Sequence, residues 1–187
     1  MPHFEATNAL LNTRFKLISD KLEQSIQAKN YVAIVMLHER PHRLDAFVKY
    51  VIDYVTPSEY WRLLGEIYTD SENIRQNYNA WEELLFTHAP AIKPKSFMPE
   101  EDYRAFKKLP AKLRVYRGVQ SEFWQGFSWT LNEDKAKWFA SRYSSKTGLV
   151  TVGTIKKSKV LGYFNGRGEE EIVCHFDDVV IANQFNV

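Results

Sequence analysis

The chain has 187 residues, 44% of them hydrophobic and 26% charged, with a formal net charge of +2. This composition suits a globular protein with a full core and gives no electrostatic signature for nucleic acid. A single cysteine excludes an internal disulfide and a multi-cysteine zinc site, and no apolar run approaches the length of a membrane span.

The first residues lack the basic and apolar regions of a signal peptide, so a cytoplasmic protein is expected. Residues 8–29 read as an amphipathic helix, with Leu11, Phe15, Ile18, Leu22 and Ile26 at spacings of three and four. Residues 31–37 are an apolar run that suits either a strand or a buried helix. Residues 43–55 again carry helical spacing. Thr56-Pro57-Ser58-Glu59 is a helix start, with Thr56 as cap, Pro57 in the first turn and Glu59 completing a capping box. That helix is expected to reach about Tyr68. Another, capped by Asp70 or Ser71, is expected to reach about Phe86. Three prolines then mark an irregular connection. A short helix begins near Met98-Pro99-Glu100-Glu101 and ends before Pro110.

Beyond Pro110 the character changes. Segments 112–118, 127–130, 148–155, 160–164, 170–176 and 178–185 carry β-branched and aromatic residues between Gly, Asn, Asp and Ser, and read as strands. One helix, 132–143, interrupts them, with Asn132 as its cap. The expected fold class is α+β: a helical lobe over 1–110, then a mixed or antiparallel sheet over 111–187, packed as one compact domain.

Three pieces of the second half carry chemistry. Val115-Tyr116-Arg117-Gly118 ends an apolar strand on an arginine, whose planar fork suits a phosphate-bearing ligand, next to a glycine that permits close backbone approach. In Gly126-Phe127-Ser128-Trp129-Thr130, alternation puts both hydroxyls on one face. Gly168-Glu169-Glu170-Glu171 precedes the apolar Ile172-Val173-Cys174, and alternation puts Glu169 and Glu171 together. The plainer alternatives are a surface arginine, a half-buried strand and a solvated acidic turn.

In this order the pieces resemble the Arg–Ser–Glu class of mono-ADP-ribosyltransferases, which includes bacterial toxins and phage-encoded modifiers. The resemblance covers about residues 110–180. It implies a sheet core of ADP-ribosyltransferase type and NAD as substrate, with no metal. It also implies a target protein, arginine being the acceptor associated with Glu-x-Glu. By that resemblance Arg117, with Gly118, holds NAD. Ser128, or Thr130 in its place, orients Glu171. Glu171 stabilises the ribosyl cation, and Glu169 activates the acceptor. Tyr163 or Phe164 is the aromatic of the acceptor loop. Ser-Trp-Thr departs from the Ser-Thr-Ser usual in that family. Trp138 and Phe139, on the following helix, are expected to pack it on the sheet.

Rival readings are weaker. His38-Glu39-Arg40-Pro41-His42 matches a zinc-protease motif letter for letter, but Pro41 breaks the continuous helix that motif needs. Glu169, Glu171, Asp177 and Asp178 would serve a metal-dependent phosphodiesterase, though Asp177-Asp178 reads as a turn. An NAD glycohydrolase, or an interaction module without catalysis, completes the set.

Overall fold

The computed structural model describes residues 2–72, 74–87, 89–91, 94–120, 123–142, 148–166 and 168–187. The chain divides into two compact units, Met1–Ile74 and Arg75–Val187. The helices between residues 78 and 108 therefore group with the sheet, not with the lobe expected to run to residue 110.

The first unit is helical: α1 (Pro2–Gln27), α2 (Tyr31–Met36), α3 (Arg43–Tyr50) and α4 (Pro57–Asp70). The ambiguous apolar run at 31–37 is the helix α2, started by Asn30, whose side chain accepts a hydrogen bond from the Ala33 N–H. Helix α4 begins as its sequence dictates. The Thr56 hydroxyl accepts from the Glu59 N–H at 3.3 Å, and the Thr56 N–H donates to the Glu59 carboxylate at 3.0 Å. Trp61, Leu64 and Ile67 of this helix are buried, as are Phe47, Val35 and Ile34 of the same unit. The Phe47 and Tyr60 rings meet edge to face at 5.3 Å.

The helix expected from Asp70 or Ser71 does not start there. Asp70 ends α4 and accepts ion pairs from Arg43 and, at 3.1 Å, from Arg40. The Ser71 hydroxyl donates back to the Ile67 carbonyl. The next helix, α5 (Tyr78–Glu82), starts a turn later and runs into a π-helical turn, Glu83–Thr87. Two helices follow, α6 (Pro94–Phe97) and α7 (Glu100–Lys108).

Six strands complete the second unit: β1 (Lys112–Val119), β2 (Ser128–Thr130), β3 (Leu149–Lys156), β4 (Val160–Phe164), β5 (Glu171–Cys174) and β6 (Val180–Asn186). They form one open antiparallel sheet in the order β4-β5-β2-β1-β3-β6. Helix α8 (Glu133–Ser141) follows β2, and the Asn132 side chain caps it by accepting from the Asp134 and Lys135 N–H groups.

Register decides what each face carries. Tyr116 pairs with Thr130, and Thr130 with Glu171, so these three side chains share a face. Ser128 and Gly118, two residues along, share it too. On this face α8 lies against β1 and β3 so closely that a Cβ on Gly118 would sit 1.7 Å from the Ala136 carbonyl oxygen. Ala136, Ala140, Tyr116, Val150 and Val152 form the buried seam. Farther along the same face, Phe97 of α6 presses on Gly162 of β4. The strip over β2 and β5 lies between these two coverings. The opposite face carries Val115, Phe127, Trp129, Ile172 and Cys174, all buried. There Tyr78 stacks on Phe127 at 4.5 Å and Phe86 meets it at 5.3 Å.

Candidate active site

Over β2 and β5 the sheet opens into a cavity of about 110 Å³ lined by Ser128, Thr130, Glu169, Glu171, Gly118 and Phe139, with Tyr116, Arg117 and Trp129 contributing to its walls. Ser128 and Glu171 are brought together across the β2–β5 ladder, and the Ser128 hydroxyl donates to the Glu171 carboxylate. This bond fixes one carboxylate oxygen at the edge of the cavity, where the carboxylate can stabilise developing positive charge.

Thr130 has a different part. It is 5% exposed, and its hydroxyl donates to the Glu169 carbonyl at 2.5 Å while accepting from the Asn132 N–H at 3.0 Å. One hydroxyl thus ties the glutamate loop to the start of α8. With both its donor and acceptor used on backbone, Ser128 is left as the hydroxyl facing the carboxylate.

Glu169 and Glu171 both line the cavity, although they do not lie on one strand. The strand begins at Glu171, and Glu170 adopts a left-handed backbone (φ 47) after the left-handed Gly168 (φ 63). The Asn165 side chain accepts from the Glu170 N–H at 3.2 Å, and its carbonyl accepts from the Gly168 N–H at 2.8 Å. Asn165 thus ties together the turn that leads into the two glutamates. Arg167 lies outside the described residues.

Arg117 contributes to the cavity wall, with its guanidinium anchored to backbone carbonyls. It is one residue out of phase with Tyr116 and Gly118, so its side chain leaves from the face opposite Ser128, Thr130 and Glu171. Its Nε donates to the Trp124 carbonyl at 2.7 Å and its Nη1 to the Ser128 carbonyl. A Cβ on Gly126 would fall 2.4 Å from the guanidinium. Arg117 therefore closes the loop between β1 and β2 from behind. Gly118 likewise makes room for the backbone of α8. Tyr163 pairs with Ile172, out of phase with Glu171, is buried, and does not line the cavity. Burial raises its phenol pKa, and the neighbouring Glu170 and Asp102 carboxylates add to the shift.

Phe139 is the aromatic that faces the cavity, half-buried on α8. The signal was present in the spacing, since α8 must turn one side to the strand it follows, but helical packing alone accounts for an aromatic there. Trp138, its neighbour, is 50% exposed, with the Arg142 guanidinium 4.9 Å above its ring.

The rival sites do not assemble. Helix α2 ends at Met36, Glu39 is extended, and Pro41 sits in a short 3-10 turn, so His38 and His42 share no helix face. His38 Nδ1 donates to the Ile34 carbonyl. Asp178 pairs with Lys159 at 3.0 Å, and Asp177 donates its N–H to His175. Among the described residues no three His, Cys, Asp or Glu side chains come together as metal ligands. The Cys174 thiol is buried, and burial, reinforced by Asp178 and opposed by Arg117, pushes its pKa up to about 12. No helix among the described residues is long and apolar enough to cross a membrane. Comparison with protein-family models, curated proteins and solved structures returned no match.

Proposed function

We propose that the protein is a mono-ADP-ribosyltransferase, with a sheet of that type, which cleaves NAD in the cytoplasm and transfers ADP-ribose to a side chain of a target protein, arginine being the implied acceptor. The observation that carries this reading is the Ser128–Glu171 hydrogen bond at a cavity that Glu169 also lines. A hydroxyl-oriented carboxylate suits the loss of a neutral leaving group from a ribose, and a second carboxylate nearby suits activation of an acceptor.

The chemistry then runs as follows. The bond between ribose C1′ and the nicotinamide nitrogen breaks, and its electron pair leaves with nicotinamide. Glu171, held by Ser128, faces the positive charge that grows on the ribose. The acceptor nitrogen attacks C1′ and gives up a proton, which Glu169 takes in this reading. Phe139 offers a flat apolar wall for the nicotinamide ring. At about 110 Å³ the cavity is smaller than the roughly 300–1,000 Å³ typical of small-molecule pockets, so it suits the nicotinamide–ribose end alone. Arg117 supports the site by fixing the loop after β1. Its Nε and Nη1 bonds to the Trp124 and Ser128 carbonyls hold the guanidinium in the cavity wall.

The test is incubation with labelled NAD and bacterial lysate. Glu171→Gln is expected to lose turnover by about 100-fold or more while still binding NAD, since transition-state charge stabilisation is what the amide lacks. Glu169→Gln should lose transfer and keep hydrolysis. Free nicotinamide without labelled protein would replace the transferase with an NAD glycohydrolase. Full activity in Glu171→Gln would refute the site.

A further inference from the structure

At the far end of β1 and β3 the sheet carries a second concavity, of about 930 Å³, whose lining includes Phe106, Leu109, Lys112, Lys156, Lys157 and Val160. Its floor is apolar and its rim is cationic. Lys112 and Lys156 stand directly opposite each other across the β1–β3 ladder, an arrangement in which like charges repel. Both are exposed. Lys157 is built in more firmly, its ammonium donating to the Lys107 and Leu109 carbonyls at 2.8 Å each and lying 5.2 Å over the Phe106 ring. Arg114, two residues on from Lys112 on the same face, lies over the Tyr116 ring near the Glu133 carboxylate and stands outside the groove. The described lining residues include no carboxylate, so a chain of net charge +2 concentrates cation here.

Folding stability does not explain two lysines placed against each other, whereas an anionic occupant does. We infer that this groove is a docking site for an acidic, apolar-interleaved segment of a protein partner. A peptide suits it better than a nucleic acid. Phe106 is 8% exposed and lies under the Lys157 ammonium, so no ring is open for bases to stack on, while the half-buried Leu109 and the exposed Ala111 offer aliphatic surface. Gly118, at the cavity, lies six residues along β1 from Lys112, roughly 20 Å at the rise of a strand. A target held by an acidic segment at the groove would thus present a side chain to the cavity on the same sheet face. This last step rests on the transferase reading, whereas docking itself does not.

The probe is a fluorescein-labelled peptide of alternating glutamate and leucine, titrated by anisotropy against the full chain. Binding should weaken with salt, and by about tenfold or more in Lys112→Gln/Lys156→Gln, which keeps side-chain length and removes both charges. Unchanged affinity in that variant, or tighter binding of a labelled single-stranded RNA that displaces the peptide, would overturn the inference. In the NAD assay the same variant should keep cleavage without acceptor and lose transfer to lysate proteins. Equal transfer by both forms would overturn the presentation of the target to the cavity, while the peptide titration decides docking itself. If the wild-type chain cleaves no NAD, the transferase reading falls, and the peptide titration still decides the groove.

Discussion

Gly118 and Cys174 show how single residues of the sheet are constrained by packing. A methyl on Gly118 would meet the Ala136 carbonyl at 1.7 Å, and the obstacle is helix backbone, which cannot swing aside. Gly118→Ala is therefore expected to destabilise the protein by about 1–3 kcal/mol, measured by urea denaturation, because α8 must move off the sheet. Cys174 is buried, and that burial holds its thiol pKa well above the ordinary value. It should not react with a disulfide reagent at pH 8 until denaturant is added; rapid labelling of the folded chain would show that the thiol is accessible. At this scale the sequence was a partial guide. The hydroxyls of Ser128 and Thr130 and the carboxylates of Glu169 and Glu171 were visible as a pattern, and all four reach one cavity. The phase of Arg117 and Tyr163 relative to that pattern was not visible. A one-residue difference in register turns a strand residue to the other face, and register is set by partner strands far along the chain.

Helix α4 illustrates what an element can announce. Its capping box uses four consecutive residues and needs nothing from the rest of the chain. Thr56→Ala is expected to cost about 1 kcal/mol at neutral pH, measured by thermal or urea unfolding. The hydrogen bonds from the Thr56 hydroxyl and N–H hold the Glu59 carboxyl below its ordinary value of 4.5. That contribution is full above the ordinary value and is lost as pH falls through the lower folded value. The gap between wild type and Thr56→Ala should thus narrow on acidification; a gap that widens would contradict the assignment. The helix expected from residue 70 failed for an equally local reason. The side chains that looked like a start, Asp70 and Ser71, are used at the end of α4, by Arg43 and by the Ile67 carbonyl. Ser, Asp and Asn serve both ends of helices, so composition alone leaves the direction open.

Over the whole molecule, the division after Ile74 gives each unit its own buried tryptophans: Trp61 in the first, Trp81 and Trp129 in the second. Two cores predict two unfolding steps in urea, followed by tryptophan fluorescence. Leu64→Ala, emptying a side chain that is 0% exposed and leaving the reporter Trp61 in place, should lower the step of the first unit by about 2–5 kcal/mol and leave the other in place. A single transition that shifts as a whole would show one cooperative structure. The change from helical to strand-like sequence at Pro110 was legible, but it marks a change of element and not the edge of a unit. Helices α5 to α7 cover the sheet through contacts such as Tyr78 on Phe127 and Phe97 on Gly162, which no periodicity encodes.

Glu170 carries one more consequence. Three successive glutamates look interchangeable in a sequence, yet the middle one is held where few residues other than glycine, asparagine and aspartate rest comfortably. Its place is governed by the shape of the bend, while those on either side are governed by what they face. Variation across such a triplet would follow two separate rules: glycine or asparagine tolerated in the centre, a branched residue such as valine rejected there, and neither rule applying to its neighbours.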